Sequence, residues 1–156
     1  MISFESEDTD FRPKGTLLLK QWIKKVVDSY GFKTGDLTYI FCSDDKIIEV
    51  NRQYLQHDYY TDVITFDYDE NGVVSGDMFI SVDTVRTNAE QFAPSFEDEM
   101  NRVIIHGVLH LCGLKDKAPE DEKKMRAAEE KALAMLRDLI AEKEEKRLAR
   151  KAQQAK

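Results

Sequence analysis

Cysteine and histidine are both scarce in this sequence, and the shortage limits the chemistry it can carry. Two cysteines, Cys42 and Cys112, cannot build a disulfide framework or a cysteine-walled metal site; they fit reduced thiols in a cytosolic protein. Only three histidines are present, His57, His106 and His110, yet two of them sit four residues apart. With three prolines and seven glycines, no Pro/Gly/Ser-rich linker splits the chain. Long apolar runs are missing as well. The stretch from Val103 to Leu114 is broken by His106, Gly107 and His110, whereas a membrane span wants roughly 18 uninterrupted apolar residues. Met1 to Asp10 carries acids and no basic region, which excludes a signal or transit peptide and leaves a cytoplasmic protein as the expectation. Positive charge is in deficit too, with 23 basic against 30 acidic side chains and a net charge of −7. Such a chain repels polyanions as a whole, although a local basic groove remains compatible with it.

What is present suits one compact domain. The 156 residues are 42% hydrophobic and 34% charged, enough apolar material for a core under a solvated surface. The pattern predicts a domain over 1–140 followed by a charged C-terminal helix extension or tail over 141–156. That tail holds Lys143, Lys146, Arg147, Arg150, Lys151 and Lys156 against Glu142, Glu144 and Glu145. Its stretch is therefore basic within an acidic protein, which reads either as a solvated helix end or as a contact for RNA.

Local signals give an element order. Ile2–Phe4 reads as an edge strand, and Thr16 as the cap of a helix with Leu18, Leu19, Trp22, Ile23, Val26, Val27 and Tyr30 inside and Gly31 at its end. Leu37–Cys42 reads as a strand, and Ser43 opens a short helix. Two strands flank Asn71-Gly72, a strong hairpin signal. Ser81 and Ser95 begin two further helices, the second apolar nearly all round and therefore central. Pro119 opens the last one, with a stripe running Met125, Ala128, Ala132, Met135, Leu136 and Leu139. The expected fold is α+β: a small mixed sheet of about four strands with helices packed on it, metalloprotease-like, around a central zinc-ligand helix.

The chemistry concentrates in His106-Gly107-Val108-Leu109-His110-Leu111-Cys112-Gly113-Leu114-Lys115-Asp116. Histidines at i and i+4 share one helix face, so both imidazoles can reach a single metal ion at about 2.0 to 2.1 Å. Gly113 lets the chain turn back, and Asp116 can return a carboxylate oxygen to the same ion. Three protein ligands leave a fourth position open, as in catalytic rather than structural zinc sites. The helix-borne protease motif His-Glu-x-x-His carries its general base directly after the first histidine, where this chain has Gly107. A peptidase of that kind would lack its base, and a phosphodiester becomes the easier substrate. Cys112 reads as a packed thiol.

The run His-Gly-x-Leu-His-Leu-x-Gly, with Asn51 to Tyr54, Thr61-Asp62-Val63-Ile64-Thr65-Phe66 and Gly76-Asp77, resembles the YbeY family of bacterial rRNA-maturation factors, over about Leu37 to Leu136. The resemblance implies a zinc-dependent, single-strand-specific endoribonuclease of the cytoplasm, acting in 16S rRNA 3′ end maturation and ribosome quality control. It implies one Zn2+ ion, the rRNA precursor and the ribosome, with a ribosomal protein as a possible partner, and no membrane. Two departures stand out. The family usually has a third histidine ligand where this chain has Asp116; His57 is the sole alternative histidine. A carboxylate ligand lowers the charge of the site, so a more alkaline optimum or a broader metal preference is expected. The family also usually carries an arginine where this chain has Leu55, so no catalytic residue is assigned; Arg52 or His57 are candidates for the missing cation. Asp62 and Asp77 are candidates to orient a metal-bound histidine through its outer nitrogen. The competing readings are a non-cleaving, zinc-stabilised ribosome assembly factor and a zinc hydrolase of another substrate such as peptide.

Overall fold

The computed structural model describes residues 1–55 and 62–155; His57 and Thr61 lie outside the described residues. The elements run β1 (Ile2–Ser6), α1 (Thr16–Ser29), β2 (Lys33–Cys42), α2 (Asp44–Val50), a π-helical turn (Asn51–Leu55), β3 (Val63–Asp67), β4 (Val73–Ser81), α3 (Val82–Phe92), α4 (Phe96–Leu111) and α5 (Pro119–Gln154). The four strands form one mixed sheet in the order β1-β2-β4-β3. β1 and β2 run parallel, as do β2 and β4, while the β3–β4 hairpin is antiparallel. Asn71 and Gly72 both take positive φ, 52° and 79°, which a tight turn at that point demands.

Period-two alternation sorts the strands onto two cores. Leu37, Tyr39 and Phe41 of β2 and Val74, Met78 and Ile80 of β4 point toward α1, α4 and α5, where Trp22, Ile23, Val26, Ile104, Val108 and Leu136 complete the main core. The opposite face carries a smaller cluster, Cys42, Ile47, Val50 and Ile64, with Phe66 and Phe79 packed against it. Two buried side chains bind helix to helix and sheet to helix at defined points. Trp22 Nε1 donates to the Ala132 carbonyl at 2.7 Å, and the Tyr39 hydroxyl donates to the Ile104 carbonyl at 3.0 Å. The second bond fixes α4 on the sheet two residues before His106.

The helix starts over β2 and β4 are capped and tied together. Ser43 Oγ accepts from the Lys46 N–H and Ser81 Oγ from the Thr84 N–H, both at 3.2 Å. Asp44 accepts from Ser81 and Thr84 hydroxyls, each at 2.5 Å. Ser95 Oγ likewise accepts from the Asp98 N–H at 3.1 Å. The α1 start differs from expectation. Gly15, at φ 63°, occupies the cap, and Thr16 is already the first helical residue with no side-chain cap bond. α5 continues in one helix through Gln154, with 141–154 exposed. No described helix is long and apolar enough to cross a membrane.

Candidate metal centre

α4 is buried on almost every side, with Val103, Ile104, Ile105, Gly107, Val108, Leu109 and Leu111 inside. His106 and His110 emerge, half-buried, on its one uncovered stripe. Their rings stand 4.5 Å apart, centroid to centroid, and nearly perpendicular at 85°. Gly107 is what allows α4 so close to the sheet. A Cβ there would lie 2.7 Å from Met78 Sδ and 3.2 Å from its Cγ. Position 107 therefore has no room for the glutamate of a His-Glu-x-x-His protease, in agreement with its absence from the sequence.

The end of α4 builds the rest of the centre. Cys112 is the C-cap, and Gly113 follows at φ 101°, in the left-handed region that only glycine enters freely. The Gly113 N–H donates to the His110 carbonyl at 2.9 Å and the Leu114 N–H to the Leu109 carbonyl at 3.1 Å, the bond pair of a Schellman turn. That reversal brings the Leu114 carbonyl back to His110 Nδ1 at 3.0 Å and carries Asp116 over the rings. Asp116 Oδ2 lies 3.2 Å from Nε2 of both His106 and His110.

The outer nitrogens decide which atoms remain available inside. A carbonyl oxygen only accepts, so His110 Nδ1 carries the proton and donates to Leu114. His106 Nδ1 faces Glu129 Oε2 at 2.7 Å, and Glu129 Oε1 in turn accepts from Arg102 at 2.9 Å. Glu129 is 6% exposed. Burial alone would raise its pKa, yet hydrogen bonds from His106 and Arg102 hold the carboxyl below its usual range. Burial would likewise depress the His106 pKa, but the bond to and charge of Glu129, helped by Asp62 and Asp116, raise it instead. With both Nδ1 atoms engaged outward, two Nε2 lone pairs and a carboxylate oxygen converge, all within 4.8 Å of one another. Three acceptors facing each other repel unless a proton on one Nε2 or a metal cation sits among them. Ligand atoms about 2.0 to 2.2 Å from a tetrahedral ion lie roughly 3.3 Å apart, close to the 3.2 Å edges found here. The donor set fits a metal ion.

The rest of the expected site is only partly assembled. Asp62 lies beside His106 in a groove of about 450 Å³, but the outer nitrogens are taken by Glu129 and Leu114, so it does not orient either ring. Burial raises its pKa, and the His106 charge opposes that rise. Asp77 is farther off and accepts from the Tyr68 hydroxyl at 3.2 Å. Leu55 lines the same groove, and Arg52 is exposed on the π-helical turn. Cys112 is buried, and burial pushes its thiol up to about 11, which suits packing rather than ligation. Sequence reasoning missed Glu129 and Arg102. Glu129 falls between Met125 and Ala132 on the buried stripe of α5, where a lone acid signals a partner, and Arg102 precedes His106 by one helical turn.

Known proteins match this chain over most of its length. The family profile described as Endoribonuclease YbeY matches residues 1–137. Endoribonuclease YbeY of Phocaeicola vulgatus is 58% identical over 139 residues, covering 87% of this chain and 99% of that protein. Its counterpart in Bacteroides thetaiotaomicron is 64% identical over 115 residues, 74% of this chain and 84% of that protein. The solution structure of TM1509 from Thermotoga maritima superposes with a TM-score of 0.62 at 31% identity, covering 87% of this chain and 89% of that one. A family match over residues 1–137 and relatives more than half identical place the chain in the YbeY endoribonuclease family.

Proposed function

We propose that this chain is an endoribonuclease that cuts single-stranded RNA at one Zn2+ ion held by His106, His110 and Asp116. The observation that carries the reading is the convergence of three acceptors on one point, with both histidine tautomers fixed by outward bonds. Two imidazoles and a carboxylate are ordinary zinc donors. When bound, such an ion supplies Lewis-acid stabilisation of a phosphodiester and a water of lowered pKa. The chain's own residues do the rest. Glu129 and Leu114 hold the rings, the groove beside β3 receives the strand, and Lys117 at its rim offers a cation beside Asp116. Membership of an endoribonuclease family supplies the substrate class, and Gly107 packed against Met78, where a His-Glu-x-x-His protease has its base, weighs against the protease alternative. In the cell the reading extends to 16S rRNA 3′ end maturation and ribosome quality control in the cytoplasm, with the ribosome as partner.

The test is metal content and cleavage of a single-stranded RNA by wild type, His110→Ala and Asp116→Ala. Wild type should hold one zinc per chain and cut; both variants should lose zinc and cutting together. Full zinc in Asp116→Ala would overturn the ligand set. RNA that metal-replete wild type binds and leaves intact would make the chain an assembly factor. Because Asp116 brings a hard oxygen donor, activity should also survive replacement of zinc by manganese, as a metal profile would read.

A further inference from the structure

A second cavity, about 270 Å³, opens on the other flank of His106 and shares His106 and Asp62 with the larger groove. The two thus adjoin at His106, one of the proposed metal ligands, and a strand lying across the centre has a place on either side. One wall is Phe92, the last residue of α3, 77% exposed and with no ring contact among the described residues. Arg126, exposed on α5, stands at the rim, and the interior carries Glu99 and Glu129, each under a tenth exposed, with Arg102.

We propose that this cavity is a nucleobase subsite: a base of the RNA strand next to the scissile phosphate stacks on Phe92, with its backbone held outward at Arg126. The inference rests on the endoribonuclease reading above and adds how the strand is held. Electrostatics orient the nucleotide. Asp62, Glu99 and Glu129 outnumber Arg102 inside, so a phosphate is repelled from the floor, whereas a neutral base brings N–H edges that carboxylates accept. Asn88, also on α3, adds an amide that reads a base edge. A solitary exposed phenylalanine is ordinary on a protein surface; one that walls a cavity bounded by the His106 imidazole is placed where an unstacked base arrives. A duplex keeps its bases paired and stacked and cannot deliver one. The subsite therefore gives a physical source for single-strand preference.

The experiment mixes zinc-loaded wild type, Phe92→Ala and Phe92→Trp with short oligoribonucleotides carrying 2-aminopurine at successive positions. Stopped-flow fluorescence reads binding before cleavage, and gel analysis reads cutting afterwards. Stacking should quench the probe at one position in wild type and Phe92→Trp. Phe92→Ala should lose the quench and bind about 5- to 150-fold more weakly, the range of one base–aromatic stack, with unchanged zinc content and melting temperature. RNA that is quenched in this way but never cut leaves the subsite standing and overturns the endoribonuclease reading. RNA that is cut equally well by wild type and Phe92→Ala overturns the subsite alone. Absence of any quench in wild type overturns it as well.

Discussion

Glu129 shows how one side chain sets the character of another. Through its 2.7 Å contact it assigns the His106 proton to Nδ1 and leaves Nε2 free to ligate, while Arg102 at 2.9 Å keeps the carboxylate ionised in a buried place. Outer partners of this kind typically account for about 10- to 100-fold in metal affinity. Glu129→Ala should weaken zinc binding by roughly that factor, read by competition with a chromophoric chelator. Glu129→Gln should lose less, because its amide oxygen still accepts from Nδ1. Wild-type zinc affinity in Glu129→Ala would count against the arrangement. The histidine pair and Asp116 were legible in the sequence because helical spacing and a glycine turn act over a few residues. Glu129 was not, since nothing local says that a residue 23 positions on meets His106; only its intrusion into the apolar stripe of α5 hinted at a buried partner.

Elements explain why the centre is held where it is. α4 was recognisable as a central helix from its all-round hydrophobicity, and its ends from Ser95 and Gly113. The hairpin was legible through Asn71-Gly72. Other boundaries depended on tertiary partners. β2 extends back to Lys33 because Lys33 and Thr34 pair with Val73 and Val74 of β4, a long-range contact that propensity does not encode. The α1 cap moved to Gly15 because the chain enters that helix through a left-handed residue, which Thr16 would resist. Close packing of α4 on β4 gives a second prediction. Gly107→Ala places a methyl 2.7 Å from the Met78 sulfur, and Met78 is fully buried. The gain in helix propensity, about 1 kcal/mol at most, does not offset overpacking of about 1–3 kcal/mol. The variant should melt at lower temperature, with weaker zinc binding as α4 lifts from the sheet. Met78→Ala in the same background should restore part of the loss, and a Gly107→Ala protein as stable as wild type would show that the sheet gives way freely.

At the scale of the whole molecule the charge is divided along one helix. The face of α5 that packs inward through Met125, Ala128, Ala132 and Leu136 continues at the same helical spacing as Lys143, Lys146, Arg147, Arg150 and Lys151. Arg147 is partly neutralised by Glu144 at 2.5 Å, and Lys143, Lys146 and Arg150 border with it a cavity of about 570 Å³ beside Leu17 and Gln21 of α1. An apolar stripe that turns basic where it leaves the body can meet a polyanion that the net charge of −7 otherwise repels. Geometry sets who can use it. At about 1.5 Å per residue, Lys143 lies roughly 21 Å along α5 from Glu129, the residue that touches His106, so a strand held at the centre meets the stripe only when it runs several nucleotides beyond the cut. Replacing the five cations with glutamine should therefore leave binding and cutting of shorter strands unchanged. For longer strands the log Kd against log salt slope should fall by roughly 0.7 per lost phosphate contact, to a limit of about 3.5. Titrations of short and long RNAs across salt concentrations separate the two cases. Equal slopes for wild type and variant on long RNA would make the stripe a solvated helix end and leave docking of the substrate to the grooves on either side of His106.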